Sequence, residues 1–255
     1  MTMRLLFALA FAVQAAHAGA APLPPIRVIL VGDSTIATGN GYGDALCARF
    51  RPEVTCLNLA ANGRSSSSFR SEGRWADVQA LMRDGGGFAA TYVLVQFGHN
   101  DQPGKRHATD LATAFPANMA RYAADTRALG ATPVLVTPLT RRMFKGPNLH
   151  DTLMPWAAAT RQAAAQERVP LLELNADSAA AVQRMGQVEA DTLAVEQAAA
   201  PGSPAKSKFD WTHLGPKGAA LFAGMVAGEL RTAVPGIAPY LDSERSAEGR
   251  RQGPQ

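Results

Sequence analysis

Short apolar runs alternate with longer segments of helical spacing along most of the chain. Runs rich in Val, Ile and Leu predict β-strands at residues 27–31, 54–59, 92–97, 133–137 and 169–174. Segments with apolar residues at helical spacing predict α-helices at residues 42–50, 72–83, 110–129, 151–167 and 216–231. Strands separated by such helices predict an α/β fold, a three-layer α/β/α sandwich around a central parallel sheet of about five strands.

The N-terminus has the features of a cleavable signal peptide. Arg4 supplies positive charge, residues 5–13 (LLFALAFAV) form an apolar core too short to span a bilayer, and Ala16-His17-Ala18 forms a small-residue cleavage site. The alternative is a buried N-terminal helix. We expect cleavage after Ala18 and a secreted or periplasmic product. No other stretch reaches the about 18 apolar residues of a membrane-spanning helix, so we expect no membrane association after cleavage.

The remaining chain predicts one domain with a polar end. We assign residues 1–18 to the leader and residues 19–241 to the domain. Residues 196–208, rich in Ala, Pro, Ser and Gly, predict a loop. The polar residues 242–255 predict a disordered tail.

Charge and cysteine content narrow the class of protein. The net charge is +4 without a dense Lys/Arg block, which argues against a nucleic-acid partner and at most favours an anionic polymer. The two cysteines, Cys47 and Cys56, lack metal-site spacing. In an oxidising compartment they could form one disulfide, and buried reduced thiols are the alternative.

Polar groups follow several predicted strands, at the edge where ligands bind in parallel α/β sheets. The sets are Gly32-Asp33-Ser34-Thr35, Asn62-Gly63-Arg64-Ser65, Gly98-His99-Asn100-Asp101 and, before the last helix, Asp210-Trp211-Thr212-His213. Singly, each has an ordinary structural explanation, because a serine after a strand often caps a helix and Asn-Gly is usually a turn. Together they place groups suited to acyl transfer at one edge.

Acyl transfer needs a serine that is activated by a base. A serine hydroxyl is a weak nucleophile, and His213 is a candidate base because an imidazole can take and return a proton in neutral solution. Asp210, three residues earlier, could hold the imidazole in the correct tautomer. Other mechanisms lack their motifs, since the chain contains no G-x-S-x-G, H-E-x-x-H, P-loop or dinucleotide fingerprint. The histidines form no metal-ligand pattern, and we expect neither a cofactor nor a metal.

In this order, the four sets resemble the signature blocks of the SGNH (GDSL-type) hydrolase superfamily, over about residues 26–232. The resemblance implies that Ser34 is the nucleophile, His213 the general base and Asp210 its partner. It also implies an oxyanion hole built from the backbone N–H groups of Ser34 and Gly63 and the side-chain amide of Asn100. Gly63 lacks a Cβ, so its N–H could approach the substrate closely.

Details of these blocks point to one branch of the superfamily. The first block is Gly-Asp-Ser-Thr, the second continues through residues 65–75 (SSSSFRSEGRW), and the third reads Phe-Gly-His-Asn-Asp at residues 97–101. With residues 140–144 (TRRMF), they resemble the rhamnogalacturonan acetylesterase family, which removes acetyl groups from pectic polysaccharide. The resemblance implies an acetylated polysaccharide or oligosaccharide as substrate. We expect a monomer.

Arginines near the predicted site could recognise acidic sugars. Arg64, Arg141 and Arg142 could bind galacturonate carboxylates, because a guanidinium group suits a carboxylate bidentately. Structural salt bridges and solvated charge are the alternative. Trp211 could stack on a sugar ring or serve in packing.

Other functions remain open on the sequence. An esterase or lysophospholipase acting on lipid or aryl esters would need a long apolar groove, and no long apolar loop is present. A non-catalytic carbohydrate-binding module on the same fold would not need Ser34, Asn100, Asp210 and His213. An acetyltransferase could use the same triad with a sugar as acceptor.

Overall fold

The structure is a computed structural model that describes residues 22–195 and 209–242. The predicted leader at residues 1–18 and the predicted loop at residues 196–208 lie outside the described residues. The predicted tail also lies outside them, apart from Asp242.

Strands and helices alternate, as the apolar pattern predicts. The strands are β1 (Ile26–Gly32), β2 (Val54–Asn58), β3 (Ala90–Gln96), β4 (Thr132–Val136), β5 (Phe144–Lys145), β6 (Asn148–Leu149) and β7 (Leu171–Leu172). The helices are α1 (Gly43–Cys47), α2 (Ser68–Ser71), α3 (Arg74–Arg83), α4 (Ala114–Ala128), α5 (Met154–Glu167), α6 (Leu174–Asp191) and α7 (Pro216–Ala233), followed by a 3₁₀ turn at Ala238–Tyr240.

The central sheet has five strands in the order β2-β1-β3-β4-β7. All of its pairings are parallel. Strand β1 lies between β2 and β3, with Val28 opposite Cys56 on one side and Tyr92 on the other. The predicted α/β fold with a central parallel sheet is confirmed. Because the strands are parallel, the segments that follow them meet at one edge.

Each face of the sheet carries its own apolar core. Side chains alternate across a strand, so Val28 and Leu30 of β1 face one cluster and Ile29 and Val31 face the other. Helices α1 and α7 cover the first face, and α3, α4 and α5 cover the second. The apolar run at residues 28–31 of β1 is therefore explained by burial on both faces.

The C-terminal part of the sheet differs from the expectation. The predicted strand at residues 169–174 is shorter, and Leu174 already begins α6, a helix that the apolar pattern did not predict. The Asn175 backbone N–H donates to Thr137 Oγ1 at 2.9 Å, which ties the start of α6 to the end of β4. A short apolar run suits a strand or a buried helix start equally well, so tertiary contacts decide between them.

Two further features of the structure differ from the prediction. The helix predicted at residues 72–83 begins two residues later, as α3, and the separate short helix α2 before it was not predicted. Gly73 lies between them with a φ of 83°, which favours glycine. The antiparallel pair β5-β6 was not predicted either.

Cys47 and Cys56 form a disulfide, the first of the two alternatives that the sequence left open. It joins the end of α1 to β2. The edge strand β2 is thereby fixed to the helix that covers it.

Candidate active site

The carboxyl edge of the sheet gathers the polar sets. Ser34 lies two residues beyond the end of β1. The neighbouring chain after β2 stays in register, because the Ala61 N–H donates to the Gly32 carbonyl at 3.0 Å. The loop that carries Gly63 therefore starts beside the loop that carries Ser34.

The structure brings Ser34, His213 and Asp210 into one hydrogen-bonded chain. His213 Nε2 lies 2.8 Å from Ser34 Oγ, and His213 Nδ1 lies 2.8 Å from Asp210 Oδ2. Ser34 and His213 are 179 residues apart in sequence, so only the fold creates this contact. A serine, an imidazole and a carboxylate in this order can transfer a proton from the hydroxyl group.

Asp210 is held in its ionised form. Its Oδ1 accepts hydrogen bonds from the backbone N–H groups of Thr212 and His213, both at 2.9 Å. Partial burial alone would raise the pKa of Asp210, but these bonds and the bond to the His213 ring outweigh it and lower the pKa to about 2. An ionised Asp210 favours the tautomer of His213 that carries its proton on Nδ1, which leaves Nε2 free to accept one.

A buried network supports the nucleophile loop. Asp33 Oδ1 accepts the N–H of Thr35 at 2.9 Å and its hydroxyl at 2.7 Å. The amide of Gln96 donates to Thr35 Oγ1 at 2.7 Å, and the Tyr42 hydroxyl donates to Gln96 Oε1 at 2.8 Å. Threonine in the Gly-Asp-Ser-Thr block thus connects the loop to strand β3.

His99 contacts the same carboxylate from the other side. Its Nδ1 lies 3.5 Å from Asp33 Oδ2, and both side chains are buried. Burial lowers the pKa of His99, which favours the neutral imidazole. Burial alone would raise the pKa of Asp33, but His99 and the bonds from Thr35 outweigh it, and the pKa of Asp33 lies below its ordinary value.

The predicted oxyanion donors lie on adjoining loops. Asn100 donates from Nδ2 to the Arg64 carbonyl at 3.1 Å, which uses one of its two amide hydrogens and joins the loop after β3 to the Gly63 loop. Gly63 has a φ of 76°, and a Cβ there would meet no atom within 4 Å. Backbone conformation therefore requires glycine here, which adds a reason to the one expected from sequence.

Asp101 is a supporting residue whose role sequence reasoning missed. Its carboxylate accepts the Ser66 hydroxyl at 2.6 Å, the Ser66 N–H at 3.0 Å and the Thr109 hydroxyl at 2.8 Å. Burial raises the pKa of Asp101 to about 6. Its position directly after Asn100 in the third block is the sequence feature that could have indicated this role.

Two of the arginines predicted to bind substrate have protein partners. Arg64 pairs with Glu72 at 2.7 Å and also donates to the Asn62 carbonyl. Arg141 donates to Gln102 Oε1 at 2.6 Å and to the hydroxyls of Thr152 and Thr212 at 2.8 and 3.2 Å. It lines an open cavity of about 430 Å³, together with Gln102, Pro103, Lys105, Met143 and Thr152. Substrate binding by Arg64 and Arg141 stays a prediction.

Arg142 requires a correction. Its side chain is fully buried, at 0% exposure, and its guanidinium faces backbone carbonyls of residues 210–213. A side chain without exposed surface cannot bind a polymer, so the expectation that Arg142 contacts substrate is wrong. Trp211 is partly exposed and lies 5.8 Å from Phe209 between ring centroids, so its stacking on a sugar stays a prediction.

Residues 22–195 and 209–242 contain neither a candidate metal site nor a helix suited to span a membrane. Within these ranges, His, Cys, Asp and Glu side chains form no group of three that could hold a metal ion. No helix in the same ranges has the length and apolar character to cross a membrane.

Comparison with known proteins identifies the class. Residues 30–221 match the profile of the GDSL-like Lipase/Acylhydrolase family. The chain therefore belongs to this family and is an SGNH-type hydrolase of carboxylic esters. It is 32% identical over 213 residues to rhamnogalacturonan acetylesterase RhgT of Bacillus subtilis, which covers 80% of this chain and 88% of that protein.

Two solved structures share the fold. The Bacillus subtilis protein YXIM has a TM-score of 0.67 and 23% identity over 86% of this chain, and the chain spans 59% of that structure's length. Acetylxylan esterase Axe2 of Geobacillus stearothermophilus has a TM-score of 0.58 and 17% identity, with 80% of this chain and 93% of that chain covered. At these identities the likeness extends to the fold alone.

Proposed function

We propose that this protein is a serine esterase that removes O-acetyl groups from an acetylated polysaccharide, with pectic rhamnogalacturonan as its substrate. The observation that carries the proposal is the hydrogen-bonded chain from Ser34 through His213 to Asp210. In this assignment Ser34 is the nucleophile, His213 the general base and Asp210 the residue that orients it.

The reaction proceeds through an acetyl-enzyme. His213 Nε2 takes the proton of the Ser34 hydroxyl as Oγ attacks the acetyl carbonyl carbon. The N–H groups of Ser34 and Gly63 and the amide of Asn100 bind the oxyanion that forms. The C–O bond to the sugar then breaks, and His213 returns the proton to the departing sugar oxygen. Water, activated by His213, releases acetate and restores Ser34.

Two observations favour an acetylated acidic polymer over a lipid ester. Four of the six side chains that line the cavity beside Arg141 are polar or charged, next to Pro103 and Met143, and Lys105 among them is exposed. The cavity therefore offers hydrogen-bond and charge partners to a sugar or a carboxylate. In addition, a relative of 32% identity that extends over most of this chain is a rhamnogalacturonan acetylesterase. We therefore place the uronate-bearing polymer across this cavity.

We also infer that the protein is exported. The charged, apolar and small-residue segments at residues 1–18 match a cleavable leader. A disulfide between Cys47 and Cys56 fits an oxidising compartment. N-terminal sequencing of protein recovered from periplasm and medium tests this inference, and intact residues 1–18 on functional protein would contradict it.

Acetate release tests the activity. We expect the protein to release acetate from acetylated pectin more readily than from acetylated xylan or chitin-derived oligomers, and to hydrolyse 4-nitrophenyl acetate. Ser34→Ala should reduce activity at least a thousandfold, while Ser71→Ala, which changes an exposed serine, should retain wild-type activity. A serine-directed phosphonate should label the wild type and not Ser34→Ala.

The same experiment separates the alternatives. A Ser34→Ala enzyme that keeps more than a few per cent of activity would overturn the assignment of the nucleophile. Polysaccharide binding without hydrolysis of any ester would favour a binding module. Acetate transfer that requires an added sugar acceptor would favour a transferase.

A further inference from the structure

We infer that Arg142 is a positioning residue that holds the catalytic turn, residues 210–213, against the nucleophile. The inference rests on the proposed roles of Ser34, His213 and Asp210. Arg142 does not touch substrate, because it is fully buried.

The carbonyl groups of the catalytic turn all face Arg142. Its Nη2 donates to the carbonyls of Asp210 at 2.9 Å and His213 at 2.8 Å, and its Nη1 lies 3.5 Å from the Thr212 carbonyl. Its backbone N–H donates to the Trp211 carbonyl at 2.9 Å. The turn belongs to no helix or strand, so its carbonyls lack the partners that regular structure supplies. Arg142 provides these partners through its guanidinium group and its backbone N–H.

The N–H side of the same turn is organised by Asp210. Its Oδ1 accepts the N–H groups of Thr212 and His213, while its Oδ2 binds the His213 ring. Arg142 and Asp210 therefore fix opposite sides of one short backbone segment. Loss of the Arg142 side chain would leave the Asp210 contacts and the backbone bond to Trp211 in place, but it would remove the partners of the Asp210 and His213 carbonyls.

Arg142 is itself anchored to the central sheet. It follows β4 through the buried residues Thr137, Leu139 and Thr140, and its carbonyl accepts a hydrogen bond from Gln187 Nε2 at 3.3 Å. Strand β4 pairs with β3, which pairs with β1, the strand that leads to Ser34. The sheet and Arg142 thus form a continuous connection that sets the position of His213 relative to Ser34.

A buried guanidinium is a costly way to satisfy carbonyls. Among the described residues, no carboxylate lies within ion-pair distance of Arg142. Burial lowers the pKa of Arg142 to about 10, so it remains a cation at neutral pH without a direct counter-ion. The guanidinium faces the carbonyls of the turn with two of its nitrogens, Nη2 and Nη1, whereas a lysine ammonium carries its three donors on one nitrogen. Geometry therefore explains why arginine stands here.

The test compares Arg142→Met and Arg142→Lys with a matched control. Arg27→Met removes another buried arginine, 3% exposed, which lies at the start of β1 and so at the opposite edge of the sheet from Ser34. Each variant is assayed for kcat and KM on 4-nitrophenyl acetate and for the rate at which a phosphonate labels Ser34, with folding checked by circular dichroism.

We expect Arg142→Met to lower kcat about a hundredfold with KM within about threefold, because a displacement near 1 Å costs about that factor. The labelling rate should fall in the same proportion as kcat. Arg142→Lys should retain the charge and the fold, and its kcat should fall about tenfold. Arg27→Met should lose stability but stay within about threefold of the wild-type kcat.

The outcomes separate this inference from the proposed function. If Ser34→Ala is inactive while Arg142→Met keeps wild-type kcat, the inference about Arg142 is wrong and the proposed function stands. An equal loss of kcat in Arg27→Met would mean that the effect of Arg142→Met comes from a general loss of stability, and it would overturn the inference as well. If Arg142→Met does not fold, Arg142→Lys decides, and a wild-type kcat in that variant contradicts the positioning role. An active Ser34→Ala enzyme would instead overturn the proposed function.

Discussion

Replacement of Asn100 by alanine tests the oxyanion site most directly. The Asn100 amide has two hydrogens, and one of them is donated to the Arg64 carbonyl at 3.1 Å. We expect the other to reach the substrate oxyanion. Asn100→Ala therefore removes one ground-state hydrogen bond and one transition-state donor, and these two losses affect different measurements.

The two losses differ in size. A typical intramolecular hydrogen bond contributes about 1 kcal/mol to stability, which corresponds to a fall in Tm of about 2–4 °C for a domain of this size. Removal of one oxyanion donor raises the barrier by about 2.7–4 kcal/mol, which lowers kcat by about a hundredfold to a thousandfold. We therefore expect a small loss of stability and a large loss of kcat, with KM nearly unchanged.

Asn118→Ala is the matched control. Asn118 also donates one amide hydrogen bond to the loop after β2, to Ser66 Oγ at 3.0 Å, but it lies on α4 rather than after a strand. Steady-state kinetics on 4-nitrophenyl acetate and thermal unfolding of both variants give the comparison. A similar fall in Tm with kcat within fivefold of wild type is expected for Asn118→Ala. Equal losses of kcat in the two variants, or a normal kcat in Asn100→Ala, would refute the oxyanion assignment.

Three further predictions concern the triad, the substrate and stability. His213→Ala should lower kcat as far as Ser34→Ala does, whereas Asp210→Asn should retain more activity because the imidazole remains; a folded His213→Ala that outperforms Asp210→Asn in acetate release would contradict the triad. The kcat/KM measured on 4-nitrophenyl esters should fall steeply from acetyl to octanoyl, since additional methylenes gain free energy only where a pocket accepts them; equal rates would favour a lipase. Burial, aided by the carboxylates of Asp177 and Glu173, raises the pKa of Glu229 to about 7. Its stabilising contribution is therefore complete below about pH 4.5 and is lost as the pH rises through 7. Glu229→Gln should not show this loss, so its free energy of unfolding relative to the wild type should rise by about 1 kcal/mol between pH 5 and pH 8, after allowance for solvent exposure. Urea midpoints that change with pH in parallel for the two proteins would refute this prediction.

The fold was predictable where burial determines the residue pattern. Strand β1 is buried on both faces, so its residues 28–31 form a continuous apolar run that the sequence shows directly. Helix α6 and the early end of β7 were not predictable, because Leu171, Leu172 and Leu174 form a run that suits either structure. The disulfide could only be stated as an alternative, since two cysteines nine residues apart reveal neither geometry nor redox state.

The candidate site also combines features that the sequence indicates with features that only the structure decides. The sequence alone indicates Ser34, Asp210 and His213 as candidates, because each stands beyond a strand or before a helix and carries a group that acyl transfer needs. The resemblance to SGNH hydrolases adds Gly63 and Asn100 as implied oxyanion donors. Parallel strands bring the positions that follow them to one edge. The contact between Ser34 and His213, which are 179 residues apart, is made only in the folded chain.

Only the tertiary structure distinguishes the neighbouring arginines Arg141 and Arg142. Both have the same side chain and the same local sequence, yet one lines an open cavity and the other is fully buried under the catalytic turn. The contacts that decide this lie far along the chain, since Arg142 and His213 are 71 residues apart. A charge pattern shows that a cation is present, but which atoms surround it depends on packing between distant segments, and that packing exists only in the folded chain.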